Sequence, residues 1–141
     1  SFLSSQKKYN SIINNKIKKN KLDNLQFLDY VHDTFAFYNS IDIYACYSKS
    51  EASPTSVWEA MHLKKPIIST NVGDLKLLNS LDQFGFVLDE ADPNIFLNKI
   101  IKIKNDKNLF EKLSKSSYFH SESFTSDKIS TKYLNLFNDY L

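Results

Sequence analysis

The sequence predicts an α/β fold in which a parallel β-sheet is covered by helices on both faces. Short apolar runs, rich in β-branched and aromatic residues, alternate with segments that carry helical periodicity. These runs are continuously apolar, as expected for parallel strands that are buried on both sides. The 141 residues, of which 42% are hydrophobic, suit a single globular domain that spans residues 1–141.

The order of the elements follows from apolar spacing and from the residues that begin and end helices. Strands are predicted at 25–28, 41–47, 66–70 and 85–88. Helices are predicted at 4–20, 33–40, 54–63, 74–81, 93–104, 108–117 and 126–140. Ligands bind such sheets beyond the carboxyl ends of the strands. A site is therefore expected in the loops after Leu28, Tyr47, Thr70 and Leu88.

Capping residues locate the helix boundaries. Ser53 suits the N-cap position and Pro54 suits the first helical position, where a missing N–H is harmless. Gly73 is predicted to turn the chain into the helix that follows it. Asp92 and Pro93 repeat the same pattern at the start of a later helix.

The composition argues against several classes of function. The net charge of +2 gives no case for nucleic acid as the partner. All 18 basic residues are lysine, so a phosphorylated ligand would be held by lysine, backbone amides or helix N-termini. Cys46 is the single cysteine, which excludes a disulfide framework and favours a core position in a reducing compartment. His32, His62 and His120 lack ligand spacing, so no metal is expected.

The chain is expected to lie in the cytoplasm and to be cut from a longer protein. No apolar run approaches the length of a membrane span, and the first residues lack the pattern of a signal peptide. The sequence begins with Ser1 instead of a methionine. Six lysines and no acidic residue lie between Lys7 and Lys21, which indicates either a solvated helix face or a patch that rests on an anionic membrane surface.

Segment 48–61 carries the clearest candidate site. Glu51 lies in a loop, and Glu59 follows eight residues later (59 − 51) inside the next helix. Carboxylates accept hydrogen bonds from hydroxyl groups such as those of a sugar or a ribose. Between the two glutamates, the helix N-terminus suits an anion because it offers backbone amides at Thr55, Ser56 and Val57.

Each carboxylate also has an interpretation without a ligand. Glu51 is favoured near a helix start by the helix dipole alone. Glu59 has apolar neighbours in the sequence, so it lies either on the exposed stripe of its helix or in contact with a ligand or a partner.

The pattern of residues extends well beyond the two glutamates. Segment 59–61 reads Glu-Ala-Met, and segment 65–73 reads Lys-Pro-Ile-Ile-Ser-Thr-Asn-Val-Gly. Segment 27–31 reads Phe-Leu-Asp-Tyr-Val, and segment 38–43 reads Tyr-Asn-Ser-Ile-Asp-Ile. With the E-x7-E spacing, these segments resemble the C-terminal, donor-binding domain of the retaining GT-B glycosyltransferases, especially family four. The resemblance covers about residues 22–140.

The resemblance implies a Rossmann-like domain that is truncated at its N-terminus. The implied function is retaining transfer of a sugar from a nucleotide sugar, such as a UDP- or GDP-sugar, to a glycan or lipid-linked acceptor. The acceptor would bind through a domain outside this chain, and no metal or other cofactor is implied. Family members of this kind often build polysaccharides.

The resemblance also implies roles for the matched positions. Glu51 would contact the donor sugar near its reacting face, which makes it the candidate catalytic residue, and Glu59 would hold the ribose. Tyr30 and Val31 would lie against the base, and Gly73 would keep a strand-to-helix turn tight. The remaining donor-binding contacts would come from Ala52, Ser53, Thr55, Ser56 and Val57.

The sequence departs from the family at Asp29, Ala52 and Lys64, where the family commonly has glycine. Lys64 follows a helix end, and a lysine in a left-handed conformation there costs about 1 kcal/mol relative to glycine. Asp29 and Ala52 are expected to alter which donor binds or to weaken donor binding.

Two other functions stay open at this stage. One is a non-catalytic GT-B relative that binds a nucleotide sugar or a partner protein, although the presence of both Glu51 and Glu59 counts against it. The other is a nucleotide-sugar epimerase of GT-B fold, although segment 50–61 resembles the transferases more.

Overall fold

A computed structural model describes the backbone of residues 2–28 and 30–140, and the side chains of these residues apart from 2–7 and 9. Asp29, one of the three departures from the family pattern, therefore lies outside the described residues. The chain divides into two compact units, Ser1–Thr34 and Phe35–Leu141. The extent of the domain predicted at 1–141 stays a prediction.

The elements found in the described ranges follow the predicted alternation closely. In chain order they are α1 (Phe2–Lys19), α2 (Thr34–Ser40), β1 (Tyr44–Cys46), α3 (Thr55–His62), β2 (Ile67–Thr70), α4 (Leu75–Leu81), β3 (Gly85–Leu88), α5 (Pro93–Asn105), α6 (Lys107–Glu122) and α7 (Ser126–Asp139). The strand β1 is shorter than the predicted 41–47, and α6 is longer than the predicted 108–117.

The first unit consists of α1 and a segment without regular structure. The strand predicted at 25–28 is wrong, because none of these residues is in a strand. A strand exists only through ladder hydrogen bonds with a neighbour, and apolar composition alone does not provide one. Leu25 is 50% exposed, so the apolar run is not a buried core segment either.

The sheet in the second unit is parallel, with strand order β1-β2-β3 among the described residues. Ile68 of β2 lies opposite Ala45 of β1 and Phe86 of β3, which fixes the register of both pairs. Because the strands are parallel, their carboxyl ends lie at the same edge of the sheet, and the loops that follow them meet there.

Helices cover both faces of this sheet, as predicted. Neighbouring residues of β2 point to opposite faces, so Ile67 packs into one cluster and Ile68 into another. The Ile67 cluster contains buried residues of α2, α3 and α4, including Val57 and Met61 of α3. The Ile68 cluster contains residues of α5 and α6, such as Phe96. Cys46 is buried in the Ile67 cluster, as predicted.

The helix α3 begins one residue later than predicted. Pro54 has extended backbone angles (φ −74°, ψ 96°) and is itself the N-cap, so the prediction of Ser53 as the N-cap is wrong. The Ser53 hydroxyl instead accepts a hydrogen bond from the indole Nε1 of Trp58 at 3.0 Å. This bond uses the oxygen that would otherwise cap the helix.

Two lysines end their helices in the left-handed conformation. Lys64 after α3 has φ 60°, as the family pattern predicted, and Lys21 after α1 has φ 51°. At the end of α3, the Lys64 amide donates to the Met61 carbonyl at 2.9 Å, and the Lys65 amide donates to the Ala60 carbonyl at 3.0 Å. This pair of bonds is the Schellman motif, which usually contains glycine at the position of Lys64.

The last three helices differ in how firmly they are tied to the core. Asp92 caps α5 as predicted, because its carboxylate accepts from the Asn94 amide at 2.7 Å. In contrast, α7 contains no buried residue, and Phe137 on its apolar side is 59% exposed.

Within the described ranges, no helix combines the length and apolarity needed to cross a membrane.

Candidate functional site

The predicted site segments of the second unit meet at the carboxyl edge of the sheet. The loop that carries Glu51 and Ala52 follows β1, and the turn that contains Gly73 follows β2. A third loop, which begins at Asp89, follows β3. The Asn71 amide donates to the Leu88 carbonyl at 2.7 Å, which joins the second and third of these segments.

Gly73 is in direct contact with the Glu51 loop. Its φ of +56° lies in the left-handed region, where a residue with a side chain is strained. A Cβ atom at Gly73 would lie only 2.6 Å from the carbonyl oxygen of Ala52. Glycine is therefore required here both for the turn and for the close approach of the two backbones. Within the described ranges, positive φ at non-glycine residues occurs at Lys21 and Lys64, so alanine at position 52 causes no such strain.

A serine holds the Glu51 carboxylate. The Ser48 hydroxyl donates to Glu51 Oε1 at 2.8 Å. The Thr70 hydroxyl, at the end of β2, donates to the Ser48 carbonyl oxygen at 2.6 Å. Glu51 is exposed, so its carboxylate is accessible to a ligand while one oxygen contacts Ser48.

The start of α3 offers fewer free amides than predicted. The Val57 amide donates to the Pro54 carbonyl at 2.9 Å and Val57 is fully buried, so the prediction of a free donor at Val57 is wrong. This bond joins residues three apart, so the first turn of α3 is a 3₁₀-type turn that uses the Val57 amide. Thr55 and Ser56 are the first two residues of α3, so their backbone amides have no acceptor within the helix, and Thr55 is exposed. The exposed residues Ala52 and Ser53 lie immediately before them.

Glu59 has a tyrosine partner, Tyr38 of α2. Burial raises the pKa of the Tyr38 hydroxyl strongly, and a side-chain hydrogen bond with Glu59 raises it further. The ring of Tyr38 contacts the ring of Tyr44 edge-on, with 5.7 Å between the ring centroids. Since a carboxylate can only accept, the Tyr38 hydroxyl donates to Glu59. Glu59 itself is exposed, so a ligand can reach its carboxylate as well.

Tyr44 lies within electrostatic reach of both glutamates. Burial is the largest cause that raises the pKa of its hydroxyl, and the charges of Glu59 and Glu51 raise it too. A hydrogen bond with the Ser56 side chain acts in the opposite direction and lowers this pKa. Tyr44 therefore stays protonated at neutral pH, and it connects the two carboxylates with the start of α3.

A charged cluster lies next to the Gly73 turn. Lys76 Nζ contacts Asp89 Oδ1 at 2.6 Å and Oδ2 at 2.8 Å, and Asn71 Nδ2 donates to Oδ1 at 3.0 Å. The hydrogen bond from Lys76 is the main cause that lowers the pKa of Asp89. All three side chains are exposed, so this cluster adds a lysine to the edge of the sheet where the loops meet.

Tyr30 and Val31 belong to the first unit. Tyr30 is 78% exposed, and its ring contacts His32 edge-on at 4.7 Å between centroids. Val31 is half-buried. Their place in the site stays a prediction.

Three residues at this site were missed from the sequence. Tyr38, Tyr44 and Ser48 each contact one of the two glutamates or its surroundings. Tyr38 and Ser48 lie in segments 38–43 and 48–61, but the sequence assigned no role to either, and Tyr44 lies in no motif. Tyr44 could have been found from strand periodicity, because residues 44 and 46 share the face that is covered by α3. The contacts of Tyr38 and Ser48 depend on the tertiary fold and on loop geometry, for which the sequence gives no local signal.

The arrangement suits a ligand that carries both hydroxyl groups and negative charge. The two carboxylates can accept from hydroxyls, and the start of α3 can donate to an anion. In the described part of the chain, no group of three or more histidine, cysteine, aspartate or glutamate side chains is placed to hold a metal ion.

Comparisons with known proteins point to one family. The family model described as glycosyl transferases group 1 matches residues 5–119. The O-antigen biosynthesis glycosyltransferase WclY of Escherichia coli is 29% identical over 129 residues, which is 89% of this chain and 35% of WclY. The capsular polysaccharide biosynthesis glycosyltransferase CapM of Staphylococcus aureus is 26% identical over 119 residues, which is 84% of this chain and 31% of CapM. The chain thus spans about a third of the length of the curated relatives it matches.

Two solved structures share the fold of this chain. Sucrose-phosphate synthase from Thermosynechococcus elongatus aligns with a TM-score of 0.77 and 22% identity, over 91% of this chain and 33% of the synthase chain. The C-terminal domain of the group 1 glycosyl transferase LpcC from Francisella tularensis aligns with a TM-score of 0.68 and 21% identity, over 83% of this chain and 62% of that domain. The chain belongs to the glycosyl transferases group 1 family, and its fold is that of the C-terminal domain of a GT-B glycosyltransferase.

Proposed function

We propose that this chain binds the donor of a retaining glycosyltransferase, which transfers a sugar from a nucleotide sugar to a glycan or lipid-linked acceptor. The observation that carries the proposal is the placement of Glu51 and Glu59 around the start of α3, with Tyr44 in electrostatic reach of both. A nucleotide sugar has hydroxyl groups at both ends and a diphosphate between them. Two carboxylates on either side of a helix N-terminus match that order of groups.

Each part of the donor has a proposed partner. Glu51 accepts hydrogen bonds from the sugar hydroxyls and is the candidate catalytic residue, while Glu59 accepts from the ribose. The backbone of Ala52 to Val57, above all the Thr55 and Ser56 amides, faces the sugar and the diphosphate. Tyr30 and Val31 lie against the base in this proposal, and Gly73 keeps the Glu51 loop in place.

The proposal includes no metal ion or other cofactor. Of the acidic groups at this edge, Glu59 contacts Tyr38, Glu51 contacts Ser48 and Asp89 contacts Lys76. The charge of the diphosphate is then met by helix amides and by lysine, since the chain contains no arginine.

A backbone amide NMR titration with UDP-glucose, GDP-mannose and ADP-glucose tests donor binding. We expect one of them to shift amides at 30–32, 51–59 and 71–74 and few others, which also identifies the base. Glu59→Gln should weaken this binding, because glutamine keeps an acceptor for Tyr38 but loses the charge. Glu111→Gln, an exposed acid on α6, is the matched control. No shift with any of the three donors, or shifts elsewhere in the chain, would contradict the proposal.

Transfer and its stereochemistry are tested on the full-length protein. The product is expected to keep the anomeric configuration of the donor, which product NMR reads directly. Two outcomes would support the other functions instead: epimerisation of the donor sugar without transfer, or donor binding with neither reaction. The relatives WclY and CapM take part in O-antigen and capsular polysaccharide biosynthesis, so we propose a bacterial surface polysaccharide as the class of product.

We also propose that α1 rests on the cytoplasmic face of a membrane as a peripheral contact. Between Lys7 and Lys21 the chain has six lysines and no acidic residue. Lys8, Lys16 and Lys19 are exposed at helical spacing around the exposed Ile12, so the stripe combines positive charge with an apolar side chain.

Vesicle sedimentation tests this contact. Binding is expected to vesicles that contain phosphatidylglycerol and not to pure phosphatidylcholine, and to fall when Lys8, Lys16 and Lys19 are changed to glutamine. The same change at Lys107, Lys112 and Lys115 of α6 is the control. Equal binding to both kinds of vesicle, or none, would contradict the proposal.

A further inference from the structure

We infer that Ser48 is a positioning residue that aims the Glu51 carboxylate at the donor sugar. The inference rests on the proposed function, because it assigns to Ser48 a task at the same site. It follows from two sets of contacts in the loop after β1, one that fixes the backbone and one that fixes the side chain of Glu51.

The backbone of the loop is held at both ends by the segment that ends β2. At the near end, the Thr70 hydroxyl donates to the Ser48 carbonyl oxygen at 2.6 Å. At the far end, Gly73 lies against Ala52, close enough that a Cβ on Gly73 would come within 2.6 Å of the Ala52 carbonyl oxygen. Neither contact involves the Ser48 side chain, so the backbone path does not depend on the Ser48 hydroxyl.

The side chain of Ser48 has a separate function. Its hydroxyl donates to Glu51 Oε1 at 2.8 Å, and it lies 3.7 Å from the buried Cys46 Sγ. An ionised carboxylate only accepts, so the single hydroxyl proton points to Glu51 and the thiol is left as the donor to Ser48 Oγ. The Cys46 thiol therefore donates to the Ser48 hydroxyl, and the Ser48 hydroxyl donates to the Glu51 carboxylate.

This chain of bonds selects one orientation of Glu51. A free exposed glutamate samples several rotamers, and ordering it on binding costs conformational entropy. With Oε1 already held by Ser48, the remaining carboxylate oxygen is presented to the ligand in one direction. Binding a sugar hydroxyl then loses less entropy than it would with a mobile carboxylate.

The test compares Ser48→Ala and Ser48→Thr with Ser50→Ala, a change at an exposed serine in the same loop. Affinities are measured for whichever of UDP-glucose, GDP-mannose and ADP-glucose binds the chain, and for its nucleoside diphosphate. Ser48→Ala should weaken the nucleotide sugar about twofold to tenfold, as expected when one side chain must be ordered on binding, and spare the diphosphate. Ser48→Thr keeps a hydroxyl and should restore the affinity, and Ser50→Ala should match the parent chain.

Two results of this comparison would overturn the inference. One is unchanged affinity of Ser48→Ala for the nucleotide sugar. The other is an equal loss for sugar and diphosphate, since that would mean Ser48 only supports the loop. Rescue by Ser48→Thr distinguishes loss of the hydroxyl from a packing defect.

A second measurement separates this inference from the proposed function. NMR relaxation of the Glu51 side chain in the ligand-free chain should show lower order in Ser48→Ala than in Ser50→Ala. Failure of every donor to bind would contradict the proposed function, while the side-chain order would still decide whether Ser48 fixes Glu51. Equal order in the two variants would overturn the inference whatever the ligand result.

Discussion

Replacing Gly73 by alanine adds one methyl group where the turn after β2 contacts the loop that carries Glu51. Two costs arise from the structure. The φ of +56° is left-handed, which costs a residue with a side chain about 1–2 kcal/mol. The new Cβ would lie 2.6 Å from the Ala52 carbonyl oxygen, so one backbone must move by 0.8 Å (3.4 − 2.6) to restore an ordinary contact.

The two costs add to a measurable loss of stability. Displacing packed atoms of this kind costs about 1–3 kcal/mol, and alanine recovers about 0.4–1 kcal/mol by restricting the unfolded chain. The expected net change is a decrease of about 3 kcal/mol in the free energy of unfolding. The displaced backbone also includes Ala52, so donor affinity should fall in the protein that remains folded.

Urea denaturation followed by circular dichroism measures the loss. Gly73→Asn is the matched variant, because asparagine tolerates the left-handed region better while still adding a Cβ. It should lose less stability than Gly73→Ala but should displace the same loop. A Gly73→Ala protein within about 0.5 kcal/mol of the parent chain, in the range of a neutral surface change, would refute the reasoning.

Three further predictions concern other parts of the fold. Lys64→Gly should raise the free energy of unfolding by about 1 kcal/mol relative to Lys64→Ala, because φ is 60° at this C-cap; equal stability of the two variants by urea denaturation would contradict it. Asp92→Ala should lower the free energy of unfolding by about 1 kcal/mol, because α5 loses its N-cap. The same change at the exposed Asp127 should have a smaller effect. Equal losses of stability in the two variants, measured by thermal denaturation, would argue against the cap. The pKa of Asp89 is lowered by Lys76, so the pair stabilises the fold above the unfolded pKa and is lost as the pH falls through the folded pKa. The stability difference between the parent chain and Asp89→Asn should therefore shrink as the pH falls below about 4, and a difference that grows on acidification would have the wrong sign.

The sequence was most informative where local chemistry decides the structure. The strands β2 and β3 are buried apolar runs, and the start of α5 is fixed by an aspartate next to a proline, so their positions follow from neighbouring residues alone. The left-handed Lys64 was also predicted, because the family that the sequence resembles commonly has glycine at this helix end.

The errors arose where residue type and capping preference alone do not decide the structure. Ser53 has the right side chain to cap α3, but the indole of Trp58 binds its hydroxyl. Segment 25–28 has the composition of a strand, but composition does not provide the neighbour that a strand requires. In the first case a side chain five residues further along the chain binds the hydroxyl, and in the second the residues do not form a strand.

The candidate site shows the same division. The spacing of Glu51 and Glu59 is visible in the sequence, and so is the helix start between them. Their partners are not, because Tyr38 reaches Glu59 from another helix and Tyr44 belongs to a neighbouring strand. A carboxylate that appears isolated in a sequence can thus be paired in the fold.

The most direct test of the donor site compares two variants with two ligands. Isothermal titration calorimetry would measure the affinity of the chain for the nucleotide sugar that binds it in the NMR titration, and for the matching nucleoside diphosphate. Glu59→Gln is expected to weaken both ligands alike, since both contain the ribose, whereas Glu51→Ala should weaken only the nucleotide sugar. If Glu59→Gln leaves the diphosphate affinity unchanged, or if Glu51→Ala leaves the nucleotide-sugar affinity unchanged, the assignment of the two carboxylates is contradicted.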